Sequence, residues 1–223
     1  MLELPPILVA ALTGFFFGLL LSIPVGPVNL TIMNEGARGF KWGALIGLGA
    51  SLMEVIYCAI AFTGFAAFFE QDYVKAAMEL LSFAFMLFLG MKFILMKSIP
   101  SASPIEAKIE KKLHPHSAFM TGFVRTMANP GVLIFWIFLA AIFISHKWVE
   151  PTWSGKGACI LGVAFGTSLW FLGLSWAASH GHKKFSDQTL LRIQKGSGIG
   201  LLALALAHGV QIVWEMVQHH NKL

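Results

Sequence analysis

Read for polarity alone, the chain is a series of long apolar runs separated by short polar breaks. The runs fall at about 6–33, 43–69, 75–97, 117–145, 156–180 and 196–217. Each holds the roughly 20 apolar residues that a helix needs to cross the hydrocarbon core of a bilayer. The pattern predicts an all-α polytopic membrane protein with six transmembrane helices. The first and fourth runs are longer than one crossing requires, and both are interrupted by proline, in "LSIPVGPVNL" at 21–30 and "TMANPGVL" at 126–133.

Such interruptions are costly at membrane depth. A broken helix frees backbone carbonyls and amides, each costing several kcal/mol if unsatisfied, so breaks survive where they are buried in protein or line a wet cavity. The ends of half-helices also carry partial charges, negative at carbonyl ends and positive at amide ends. Two breaks facing each other would therefore offer a complement for each end of a zwitterion. A pair of proline kinks that merely shape the bundle is the plainer alternative. Two breaks at matching places, each with Gly and Asn close by, favour a site at Pro24, Gly26, Pro27 and Asn29 in helix 1 and Asn129 and Pro130 in helix 4.

The halves also resemble each other. Phe15 precedes Gly18 as Phe119 precedes Gly122, and Gly49-Ala50-Ser51-Leu52 lies over Gly166-Thr167-Ser168-Leu169. The expected organisation is a first three-helix repeat at 1–97, a linker at 98–116 and a second repeat at 117–223. Three is odd, so the second repeat is inserted upside down: a 3+3 inverted repeat with broken helices 1 and 4, as in many secondary transporters.

Composition agrees with the pattern: 57% of the 223 residues are hydrophobic and 12% charged. The net charge of +5 reflects basic residues in short loops, which is a topology signal and not a nucleic-acid one. With the N-terminus outside, the cytoplasmic loops hold Arg38, Lys41, Lys92, Lys97, Lys108, Lys111, Lys112, Lys183, Lys184, Arg192 and Lys195; the other side holds Lys75, Lys147, Lys156 and Lys222. Basic residues stay in the cytoplasm, so both termini are expected outside. The first run lacks a basic leader or a small-residue cleavage site, and reads as a retained helix rather than a signal peptide. Cys58 and Cys159 form no CxxC pair and read as small apolar fillers. No cofactor and no metal cluster is indicated.

These motifs, in this order, resemble the LysE/RhtB superfamily of amino-acid exporters. The residues that carry the likeness are Pro24-Val25-Gly26-Pro27, then Gly43, Gly47, Gly49 and Glu54, then Asn129-Pro130, "GVAFGTSLW" at 162–170 and "IQKGSGIGLLALALAHG" at 193–209. The departures are a P-V-G-P break where P-G-P is commoner, Glu54 at a position expected to be Asp, Gly131 where Lys is frequent, and Arg125 inside the fourth run. The resemblance implies an exporter in the bacterial cytoplasmic membrane, with an amino acid as substrate and no enzymatic activity. Whether two protomers associate as a homodimer stays open.

Ionisable groups inside the runs are the candidate chemistry, because a charge at the bilayer centre costs about 2.5–3.5 kcal/mol on the insertion scale. Glu54 lies roughly 16 Å into its helix and Arg125 roughly 12 Å, from the helical rise. Withdrawal from water disfavours a charged carboxyl, which suits Glu54 to proton exchange; binding a substrate ammonium is the alternative. Tyr57, one turn further, is placed to bond substrate or Glu54. Arg125 and Asn129 share a helix face; Arg125 could pair with Glu54, catch a substrate carboxylate or snorkel to headgroups. His208 reads as a satisfied buried histidine, Glu79 and Glu215 as interfacial, and Trp170 as packing or a cavity wall.

The sequence thus points to a proton-coupled exporter of amino acids or similar polar metabolites working by alternating access. A divalent metal exporter of the same superfamily is the alternative, disfavoured because hard cations want several oxygen ligands and one carboxylate lies deep. A thiol-disulfide carrier lacks cysteines beside the breaks, and an intramembrane hydrolase lacks a His/Glu/Asp cluster.

Overall fold

The computed structural model describes residues 4–64, 72–98, 103–113, 115–181 and 186–220, less the side chains at 72, 74, 75, 187, 215, 216 and 218–220. Lys183, Lys184 and Lys222, the end of the second run at 65–69, and the side chains of Lys75 and Glu215 lie outside the described residues. Those described are α-helical or irregular, without a strand.

Each apolar run became helix. The first forms α1 (Pro6–Ser22) and α2 (Pro27–Gly36), the second α3 (Phe40–Gly64), the third α4 (Asp72–Leu95), the fourth α6 (Ala118–Met127) and α7 (Pro130–Ser145), the fifth α8 (Trp153–His180) and the sixth α9 (Asp187–His220). Between them the linker contains one further helix, α5 (Pro104–Leu113). Among the described residues, four helices are long and apolar enough to cross a membrane, and the bent pairs α1/α2 and α6/α7 raise this to six if each pair is one span. The bends are 78° and 66°. Proline sets both, opening α2 at Pro27 and α7 at Pro130, where its missing N–H is one that a helix start leaves unpaired anyway.

Helix starts elsewhere are capped by side chains. Ser117 Oγ accepts from the Met120 amide and Thr152 Oγ1 from the Gly155 amide, each at 3.2 Å. In the linker, Ser103 and Glu106 form a reciprocal capping box, which explains a helix in a segment whose Pro, Ser and Lys content reads as coil.

Helices α3 and α8 are the most enclosed of the long helices, and α4 and α9 the least. Glycine faces allow backbone contact between them. A Cβ on Gly166 would strike the Phe15 carbonyl, and one on Gly49 the Phe119 carbonyl. Likewise Gly18 lies on Val163 and Gly122 on the Ile46 carbonyl. The helices α3 and α8 cross at Ser51, whose Oγ lies 2.5 Å from Thr167 Oγ1 and 2.9 Å from Ser168 Oγ. Gly90 and Gly198 each face the other's carbonyl where α4 crosses α9.

The main core lies away from the linker. There Phe62, Phe143 and Val149 are fully buried, and Phe17 stacks edge-on against Phe143 with 4.8 Å between ring centroids. The outer faces of the long helices expose Phe165, Leu161, Ile199, Leu206 and Val210, a surface that lipid can cover but water would not favour.

A cavity between the two helix breaks

One cavity of about 530 Å³ is bounded by both breaks. Its wall includes Pro24, Gly26, Pro27 and Asn29 from the first and Asn129, Pro130 and Gly131 from the second, with Glu54 and Arg125 between them. From the breaks it extends to the linker side, where Lys92 of α4 and Ser103, Glu106 and Glu110 of the linker line it.

The first break is braced from within. Asn29 is buried, and its Nδ2 donates to the Ser22 carbonyl at 2.9 Å and the Pro24 carbonyl at 2.7 Å. These are carbonyls that the end of α1 leaves without helical partners. The Val25 amide donates to Gln194 Oε1 at 2.5 Å, so the buried Gln194 of α9 ties the bend from outside. The second break is braced differently. Asn129 Oδ1 accepts from the Gly131 amide at 3.0 Å as an ordinary helix cap, while Tyr57 donates to the Met127 carbonyl at 2.7 Å.

The result is an electrostatic bias. The carbonyl ends of α1 and α6 are covered by Asn29 and Tyr57. The amide end of α2, which carries partial positive charge, lines the cavity at Pro27 and Val28, whereas at the start of α7 Pro130 has no N–H and the Gly131 amide is taken by Asn129. Open carbonyls at both breaks, expected to complement an ammonium group, are therefore not what the cavity offers; Glu54 brings a carboxyl to its wall. It accepts a hydrogen bond from Trp136 Nε1 of α7 at 2.5 Å.

Several expected placements are corrected by these contacts. Arg125 does not pair with Glu54. Its Nε and Nη2 donate to Glu110 Oε1 at 3.0 and 2.8 Å, and its Nη1 to Thr31 of α2. Tyr57 is buried against the second break and does not join the cavity wall. Trp170 packs against Ile32, Ile46 and Ala50, and its neighbour Phe171 lines the cavity instead. Glu79 is buried near the start of α4, and its carbonyl lies 3.2 Å from Nε2 of the buried His208. Lys92, counted with the loops, sits in the last turn of α4.

Trp136, Gln194, Glu110, Thr31 and Lys92 are absent from the sequence-predicted set. A signal existed for Gln194, a polar residue at the head of an apolar helix that starts nine residues earlier than its hydropathy suggests. Nothing in the sequence pairs Glu110 with Arg125, since the partner depends on how the linker folds back.

The comparisons with known proteins agree with this architecture. YcgF of Bacillus subtilis (strain 168), a protein proposed to carry out amino acid efflux, is 23% identical over 92% of this chain and 98% of its own length. The uncharacterised membrane protein YahN of Escherichia coli (strain K12) is 22% identical over 93% of this chain and 92% of its own. The arginine exporter ArgO of the same strain is 26% identical over 87% and 91%. No solved structure matches the chain. A family model for LysE type translocators matches residues 19–211, and with both helix breaks and the cavity lining inside that range, the chain belongs to the LysE type translocators.

Proposed function

We propose that this translocator exports amino acids, or closely related zwitterions, in exchange for protons across the bacterial cytoplasmic membrane by alternating access. The single observation that carries the reading is the shared cavity, with Glu54 and Arg125 set between two helix breaks. The amide end of α2 and Arg125 complement a carboxylate, and Glu54 complements an ammonium. The exporter and efflux names of the relatives support amino acids as cargo and outward movement.

Glu54 is the coupling group in this reading. Its partner is a neutral N–H donor. Such a donor serves a carboxylate oxygen whether or not the group holds a proton, so a proton can come and go without dismantling the site. One charge moving through 100 mV yields about 2.3 kcal/mol against about 1.4 kcal/mol per tenfold gradient. One proton can therefore sustain a gradient of tens-fold.

In this reading the site alternates through an inverted repeat, which the helix contacts support. The contacts Phe15–Gly166 and Gly18–Val163 have counterparts in Phe119–Gly49 and Gly122–Ile46, while Ser51–Ser168 and Gly90–Gly198 pair across the middle. These pairings support halves 1–97 and 117–223 related by a two-fold axis in the membrane plane. Rocking one half against the other exchanges the open side. With both termini outside, the present opening faces the cytoplasm.

Counterflow in proteoliposomes tests this. The twenty labelled L-amino acids and divalent metal ions are offered one at a time to the unmodified protein and to Glu54→Gln. The expected result is exchange of one or more amino acids driven by an inward proton gradient, with the gradient dependence lost in Glu54→Gln. Movement of metals and of no amino acid overturns the reading in favour of the metal exporter.

A further inference from the structure

We infer that Glu110 is a tethered stand-in for the substrate's carboxylate: it occupies Arg125 in the empty cavity and holds α5 across the linker-side mouth until a free carboxylate displaces it. The inference rests on the proposed amino-acid cargo and goes further, because it assigns a specificity-determining residue and a gate to a segment that sequence reads as a connector.

The geometry is specific. A single oxygen of Glu110 accepts from both Nε and Nη2 of Arg125, the edge on which a guanidinium also receives a free carboxylate. The third guanidinium nitrogen is committed to Thr31 of α2. Arg125 thereby joins α5, α6 and α2, with one half-helix from each broken span. A second carboxylate cannot take the same edge while Glu110 holds it. Both partners line the cavity, so cargo and Glu110 compete within one space.

The attachment of α5 is also slight elsewhere. It buries none of its residues, so no apolar anchor fixes it in place. Ser103, Ile105, Glu106 and Glu110 of this segment nevertheless form part of the cavity wall. A helix held mainly by one partly exposed ion pair opens when that pair is exchanged. Exposed pairs are weak, which sets the scale: occupancy by Glu110 lowers apparent affinity by the fraction of time that Arg125 is unavailable, about three- to tenfold. The latch also selects. A molecule with an ammonium group and no carboxylate has nothing with which to release Glu110.

The test combines exchange with a distance measurement. Counterflow gives the half-saturating concentration on the linker side. Spin labels on Lys112→Cys of α5 and Lys41→Cys of α3, both exposed, report the position of α5, while Cys58 and Cys159 are buried from the label. Glu110→Gln is expected to lower the half-saturating concentration about three- to tenfold and to shift the distance distribution without cargo. L-arginine is expected to produce that shift in the unmodified protein, whereas agmatine, the same molecule without its carboxylate, is not. Glu35→Gln removes a carboxylate paired with Arg38 on the same side and leaves both readouts unchanged. Identical distances in Glu110→Gln and the unmodified protein overturn the latch; equal shifts with L-arginine and agmatine overturn carboxylate competition. If no amino acid exchanges in the unmodified protein, the transport reading falls, and the distances alone decide whether Glu110 closes the mouth.

Discussion

Asn29 follows the proline of the first break by two residues and Asn129 precedes that of the second, and their contacts predict very different costs on substitution. Asn29→Leu keeps the approximate volume and removes both donors from the Ser22 and Pro24 carbonyls. Each orphaned buried acceptor costs about 1–3 kcal/mol, although hydrogen bonds between membrane helices average nearer 0.6 kcal/mol, because the unfolded chain in lipid also finds partners. Both carbonyls belong to a helix break without an alternative donor in the helix itself, so a loss of about 2–4 kcal/mol is expected. Asn29→Asp, nearly isosteric, presents an oxygen to at least one of the two carbonyls and is expected to cost about the same or to hold a proton and recover one bond. Asn129→Leu removes one cap at the less buried break, worth about 1 kcal/mol. The assay is reversible unfolding in mixed micelles by SDS titration, followed by tryptophan fluorescence. Equal losses at the two positions, or less than about 0.5 kcal/mol at Asn29, would refute the claim that Asn29 braces the first bend.

Three further outcomes follow from single contacts. Tyr57→Phe leaves the Met127 carbonyl without its donor and is expected to cost about 1–3 kcal/mol in the same titration, while amino-acid half-saturation stays within about twofold because Tyr57 is off the cavity wall. Trp136→Phe removes the donor to Glu54 and is expected to slow proton-driven counterflow about tenfold or more, as loss of roughly 1.4 kcal/mol of support would, with normal folding by size-exclusion chromatography. Gly122→Leu drives a side chain into the Ile46 backbone and is expected to prevent assembly of α6 on α3, read as loss of monodisperse protein; Gly157→Leu, where a Cβ meets open space, is expected to be tolerated.

The sequence by itself determined the helices and their interruptions. Apolar runs of spanning length admit little else in lipid, since every backbone group must be satisfied internally. Proline placed the bends at Pro27 and Pro130, because it lacks the N–H that a continuous helix would use. Glycines at 18, 49, 122 and 166 were legible as matching marks of the two halves; that each meets a neighbouring backbone emerged only when the helices packed. The ends of elements were less legible. Helix α5 was missed because its capping box is local chemistry inside a segment of coil-like composition, and the start of α9 was misplaced because its first turns are polar.

Only the tertiary structure decided which partner each polar group takes. Two asparagines, each close to a proline break, became a brace and a cap, because one is enclosed by the end of α1 and the other is not. Arg125 was visible as a deep cation, but its partners are Glu110 from the linker and Thr31 from the other broken span, residues 15 and 94 positions away. Glu54 was visible as a deep carboxyl, and its contact is a tryptophan 82 residues on. Hydropathy measures each residue against the solvent. A hydrogen bond depends on direction and on distances of about 3 Å, and across such separations in the chain these are set only when the helices have packed.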